Sequence, residues 1–249
     1  MARENEGTSW AGWLRFFESR SDRPLPKLDL GQCRSDLPRS LGRSLAVFQL
    51  GESGGGSVIR QAAQSRLSVI DDDYAKAVAL FVAEEHRHAN LLAMCVRLSG
   101  GELIRRQWTA RLFVWARRLL GLRLKVLVLL AAEIVGACFY SSIASALSPG
   151  PVRRWLHELA SDERAHLEFH CDFLRTQMQG AWHRRAFTLV WRCVMVAAAA
   201  TVIFDHRRTI RDLELGFATV WARWMALAAM AEELVTDKAA APVRAVNAV

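Results

Sequence analysis

Glu85 and His88 stand three residues apart in Glu84-Glu85-His86-Arg87-His88, and Glu163 and His166 repeat that spacing in Asp162-Glu163-Arg164-Ala165-His166. On an α-helix, residues i and i+3 share a face, so each Glu can act with its His at one point. An apolar stretch holding a lone acid precedes each motif: Glu52 lies 33 residues before Glu85, and Glu133 lies 30 before Glu163. The halves repeat at matching intervals of 81 and 78 residues, the pattern of an internal pseudo-repeat. Fourteen glutamates and seven histidines in 249 residues give about 0.4 E-x-x-H matches by chance, so one match means nothing. Two matches in this setting are a signal.

Four carboxylates and two imidazoles brought into an apolar interior would be costly without compensation. Two divalent cations supply it, because their four positive charges balance the four carboxylates. Hard oxygen donors with imidazole suit iron or manganese better than a closed zinc site. The expected metal ligands are therefore Glu52, Glu85, His88, Glu133, Glu163 and His166, with the four glutamates as the catalytic carboxylates. Glu84 and Asp162, one position before each ligand Glu, are placed to accept a hydrogen bond from Nδ1 of a ligand His on a partner helix, fixing its tautomer. Tyr140, seven residues past Glu133, is either a donor to the site or simply core. Gly55, Gly56, Gly136 and Ala137 would leave room for O2 or substrate over the metal face; alternatively, the run Gly54–Gly56 breaks its helix. His170, four residues beyond His166, could join the site or support it, but is read as an ordinary core or surface histidine.

Both motifs, acid-E-x-R-H and D-E-x-x-H, resemble the ligand motifs of the ferritin-like di-iron carboxylate superfamily, in its oxygenase, desaturase and ribonucleotide-reductase-like branches. The resemblance covers about residues 39–178. It implies a four-helix bundle, iron at the six ligands above, and O2 activation by the reduced centre. Two features depart from the family pattern: Ala165 stands where the first motif has Arg87, and the glycine run follows Glu52.

The elements that must position these residues read as helices throughout. Apolar residues make up 52% and charged residues 23%, a globular balance, and six prolines with fifteen glycines are too few for a many-turned β-protein. Residues 1–38 form a polar arm, loosely ordered or packed peripherally. Helices are expected over about 39–66, 71–98, 122–147 and 152–178, with a basic connection at 102–121 as a long crossover between the second and third. Two further helices near 183–206 and 208–235 and a tail at 236–249 complete the chain. The expected fold class is all-α: one ferritin-like domain over 39–235, its metal-binding bundle at 39–178 and extra helices at 183–235.

Two segments approach the length of a membrane span, which takes about 20 apolar residues. One, 124–147, carries Glu133 near its middle and reads as bundle interior. The other, 186–204, lies between His183-Arg184-Arg185 and His206-Arg207-Arg208 and is read as a buried core helix rather than a span. Five scattered cysteines without a CxxC pair fit a reducing compartment, and the N-terminus lacks an apolar leader, so a cytoplasmic location is expected, with membrane association as the variant.

The leading functional expectation is a di-iron, O2-dependent oxidoreductase performing hydroxylation, desaturation or N-oxygenation of an organic substrate. Its cofactors would be two irons (manganese at one or both positions is the variant), O2 and an external electron donor. The alternatives are a ferroxidase or peroxide scavenger without organic substrate, an RNA-modifying hydroxylase, and a non-catalytic helical protein. Expected partners are a small or carrier-bound substrate and an external reductase. The net charge of +8, with Trp108 and Trp115 among Arg105, Arg106, Arg117 and Arg118, also admits nucleic acid or a peripheral membrane surface, and a homodimer is compatible with all of these.

Overall fold

The computed structural model describes residues 10–29, 31, 37–54, 56–108 and 121–237. Among them the only regular structure is helical: α1 (Trp10–Ser21), α2 (Arg39–Glu52), α3 (Gly56–Ala63), α4 (Asp72–Leu98), α5 (Leu122–Ala146), α6 (Pro151–Thr176), α7 (Ala181–Asp212) and α8 (Phe217–Thr236). The described residues are all-α, as expected.

Local chemistry sets several boundaries. Asp71 caps α4 by accepting a hydrogen bond from the Tyr74 amide at 2.8 Å, and Asp72 and Asp73 follow in the first turn, where carboxylates favour the positive helix end. After α4 the chain turns through Gly100 at φ 65°, a left-handed conformation that glycine adopts without penalty. Pro151 starts α6 at a position where no amide donor is needed. The expected helix over 39–66 is broken: α2 ends at Glu52 and α3 begins at Gly56. This is the helix-breaking outcome of the glycine run.

α5 packs along α6 and α2 along α4, and contacts between α4 and α6 join the two pairs. At one end, the α2–α4 packing depends on a backbone approach in which a Cβ on Gly42 would lie 3.1 Å from Gly101 Cα. A continuous core runs through these helices, including Phe81, Leu91, Leu130, Ile134, Phe139, Leu159 and Phe169.

Two expectations are corrected. The polar arm contains α1, which packs on α4 and buries Trp10, Trp13 and Phe17 in the main core. Their spacing puts all three on one helix face, and the Trp13 indole nitrogen donates to Asp172 Oδ2 at 2.9 Å. The second correction concerns 186–204. α5 and α7 are both long and apolar enough to cross a membrane, but 78% of the most apolar stretch of α5 is buried, against 22% for α7. Among the described residues only one face of α7 is covered, the face that carries Phe187, Trp191, Met195, Ala199, His206 and Ile210. α7 also continues six residues past its expected end, and the turn to α8 carries Glu214 and Gly216 at positive φ.

Candidate metal centre

α4 and α6 bring their E-x-x-H motifs face to face. Glu85, His88, Glu163 and His166 are all buried, and one ligand atom from each lies within 4.8 Å of every other. His88 Nδ1 is 3.2 Å from Glu163 Oε1 and 3.5 Å from Glu85 Oε1. His166 Nδ1 is 3.0 Å from Glu85 Oε1 and 3.4 Å from Glu163 Oε2. Four of these atoms, Glu85 Oε1, His88 Nδ1, Glu163 Oε1 and His166 Nδ1, are buried without a hydrogen-bond partner. Buried polar atoms are almost always paired, so a convergent set of orphans calls for an explanation. A cation provides one.

The other two expected ligands adjoin this group. Glu133, from α5, places Oε2 3.7 Å from His166 Nδ1. Glu52, the last residue of α2, is held by Tyr140, whose hydroxyl donates to Oε1 at 2.9 Å, and contacts Glu85. Tyr140 is thus both a buried core residue and a hydrogen-bond donor to Glu52. Gly136 explains how Glu163 and Tyr140 come so close: a Cβ there would lie 3.3 Å from the ring and 3.6 Å from the carboxyl carbon. Ala137 is buried on the same helix, Gly56 is exposed at the start of α3, and Gly55 lies outside the described residues, as do Trp115, Arg117 and Arg118.

Glu84 and Asp162 support the histidines crosswise. Glu84, on α4, accepts from His166 Nε2 at 3.0 Å; Asp162, on α6, accepts from His88 Nε2 at 3.2 Å. The partner helix is as expected, but the nitrogen is Nε2. Because a carboxylate only accepts, Nε2 carries the hydrogen and Nδ1 faces the inner carboxylates.

Sequence reasoning missed what lies outside this layer. Arg20, at the end of α1, bonds Glu84 Oε1 at 2.9 Å and also pairs with Asp162. Arg23 pairs with Glu84 and donates to Asp162 Oδ2 at 2.7 Å. Arg87, the residue without counterpart in the second motif, ties this clamp to α6 by bonding Glu158 at 2.6 Å and the Arg23 carbonyl at 3.3 Å. The spacing Trp10, Trp13, Phe17, Arg20 was the available signal, since it runs along one helical stripe. His170, the less favoured site candidate, lies with its Nε2 3.3 Å from Glu133 Oε1 in a buried setting.

Electrostatics divide the six carboxylates into two sets. Burial works to raise Glu84, but His166 and Arg20 outweigh it and hold the group down at about 2. Asp162 is lowered in the same way, its burial overcome by His88 and Arg23. Two guanidiniums thus neutralise the outer pair, leaving four inner carboxylates and two imidazole nitrogens without permanent counter-charge. Burial and the neighbouring Glu133 raise Glu163 to about 8. Glu52 is raised by burial and by the charges of Glu85 and Glu163. His88 and His166 are raised despite burial, because carboxylates surround them. Burial works to raise Glu85 as well, but His166 and His88 outweigh it and hold this carboxyl well below its ordinary range. The donor set therefore fits divalent metal in charge, in donor type and in its orphaned atoms.

Among the described residues, these features amount to an all-helical structure with a buried Glu/His cluster that could hold a metal ion. No protein-family model, curated protein or solved structure matches the chain.

Proposed function

We propose that the chain is a two-metal carboxylate oxidoreductase of ferritin-like architecture that uses O2 on an organic substrate. The observation that carries this reading is the convergence of four partnerless buried ligand atoms from two repeated E-x-x-H motifs. Glu52, Glu85, Glu133 and Glu163 would bind the two ions, iron or manganese, and His88 and His166 would complete one coordination sphere each. When bound, a redox-active pair of this kind supplies the electrons that activate O2.

The chain's own residues bind, orient and keep the site dry. Glu84 and Asp162 fix the His166 and His88 rings through Nε2 and keep Nδ1 free to ligate. Tyr140 holds Glu52, which as the end residue of α2 has no following helical turn to fix it. Phe17 and Phe81 pack against the His166 ring and exclude water from that side. The same ligand set also supports a second reading, oxidation of iron or peroxide without organic substrate.

The test is metal content after anaerobic Fe(II) loading and gel filtration, for wild type and Glu163→Ala. About two irons per chain, falling clearly in the variant, is the expected result, two being the number that balances four carboxylates. No tightly bound metal in wild type refutes the reading. Oxygen consumption that yields only ferric iron and water, with no organic product, selects the second.

A further inference from the structure

α7 has two apolar faces, and among the described residues one of them is covered. The inner face packs on α8, α5 and α2. The outer face presents Ala186, Leu189, Val190, Cys193, Val196, Ala197, Ala200 and Phe204, a stripe repeating every three or four residues with no charge in it. Exposure is high for such side chains: 67% for Leu189, 60% for Phe204 and 77% for Trp182 at the amino end. From Trp182 to Phe204 the stripe is about 33 Å long at 1.5 Å per residue. A contiguous apolar surface on this scale marks an interaction site.

Charge at its two ends identifies the partner. Arg184 and Arg185 at the amino end and Arg192 midway along the stripe line an open cleft of about 450 Å³ together with Thr188, Leu189 and Thr236. Arg192 is oriented there by two bonds of 2.9 Å to Glu232. At the other end Arg207, Arg208 and Arg211 are exposed, and the Arg207 guanidinium lies 4.6 Å from the Phe204 ring centre. The nearby acids are engaged by the protein: Asp205 accepts from Gln107, and Asp212 from Ser40. A second copy laid along this stripe would set arginine against arginine at both ends, whichever way it ran. A polyanion such as RNA would satisfy the arginines and leave the aliphatic stripe unused. An anionic bilayer surface satisfies both, with acyl chains under the stripe and headgroup phosphates at the arginines.

We infer that the outer face of α7 is a peripheral membrane-docking surface, lying in the plane of an anionic lipid leaflet. The helix does not cross the bilayer, because its inner face is committed to the protein core. This assignment is independent of the metal chemistry.

The experiment is flotation of the full chain with vesicles of phosphatidylcholine and phosphatidylglycerol mixed two to one, compared with phosphatidylcholine alone. Wild type is expected to float with the anionic vesicles, and added salt to weaken binding. Each arginine near such a surface is worth about fivefold in partitioning, so Arg184→Gln with Arg185→Gln should weaken binding about 25-fold. Val196→Glu with Phe204→Glu should abolish it. Arg60→Gln, on α3, should change nothing. Helix content by circular dichroism verifies that the exposed substitutions leave the fold intact. Failure of folded wild type to float, or undiminished binding by the Val196→Glu, Phe204→Glu variant, overturns the assignment. So does a wild-type dimer in light scattering that this variant turns into a monomer while lipid is not bound, since the face then belongs to a second copy.

Discussion

Removing the two arginines that clamp Glu84 and Asp162 should cost more than the sum of removing each. The side chains of Glu84 and Asp162 are 7% and 3% exposed, and each accepts from both Arg20 and Arg23. In Arg20→Gln or Arg23→Gln the remaining guanidinium still bridges both carboxylates, so each single change loses charged hydrogen bonds worth about 1–2 kcal/mol. In the double variant each buried carboxylate retains only its histidine donor. Breaking a buried ion pair costs about 3–5 kcal/mol, and the double change approaches the upper end, about 1–2 kcal/mol beyond the singles combined. Because Glu84 stays ionised down to a pH of about 2, the effect is fully present at neutral pH. Urea denaturation of the metal-free protein measures it; for a chain of this size the double variant should also melt about 10–20 °C lower. Fe(II) affinity should weaken about 10–100-fold, as the histidines lose their orientation. Strict additivity, or a double variant within about 0.5 kcal/mol of wild type, would refute the clamp.

Other consequences can be measured directly. In the metal-free protein, Glu163 at about 8, together with the raised His88 and His166, means that the folded state holds more protons than the unfolded chain, so stability falls as pH rises from about 5 through 8. At the acid end, Glu84 at about 2 supplies stability that is lost as pH drops below its ordinary 4.5; metal loading at pH 7 should release protons, measurable by pH-stat titration. Tyr140→Phe removes the bond to Glu52 and should cost about 1 kcal/mol in chemical denaturation. Gly136→Leu drives a side chain into Tyr140 and Glu163 and should cost about 1–3 kcal/mol with a drop in bound iron, whereas Gly136→Ala should be near neutral, because improved helix propensity offsets the tight contact.

What was legible in the sequence was local. An i, i+3 pair on a helix declares its geometry without the rest of the fold, so Glu85 could be set beside His88 and Glu163 beside His166 from spacing alone, whereas the meeting of the two pairs needed the repeat and the charge argument. The clamp joins residues 61 to 142 positions apart, and the polar composition of the first 38 residues masked the stripe that docks α1. His170 follows His166 by one helical turn, a spacing that suits a core histidine as well as one bonded to Glu133. Hydropathy alone also misplaced α7, because a helix apolar on all sides reads the same whether protein or another phase covers its second face.

The crosswise support of the two histidines has a mechanical consequence. Each bond joins a histidine on one of the facing helices to the acid beside the ligand Glu on the other, so the pair works like two opposed pins through one hinge plate. One residue of sliding moves a helix by about 1.5 Å, enough to break both bonds together. Apolar packing between α4 and α6 would tolerate such a slip by exchanging similar side chains; the pins do not. The polar layer between the two facing helices therefore sets the alignment of the two helix pairs by its own hydrogen bonds.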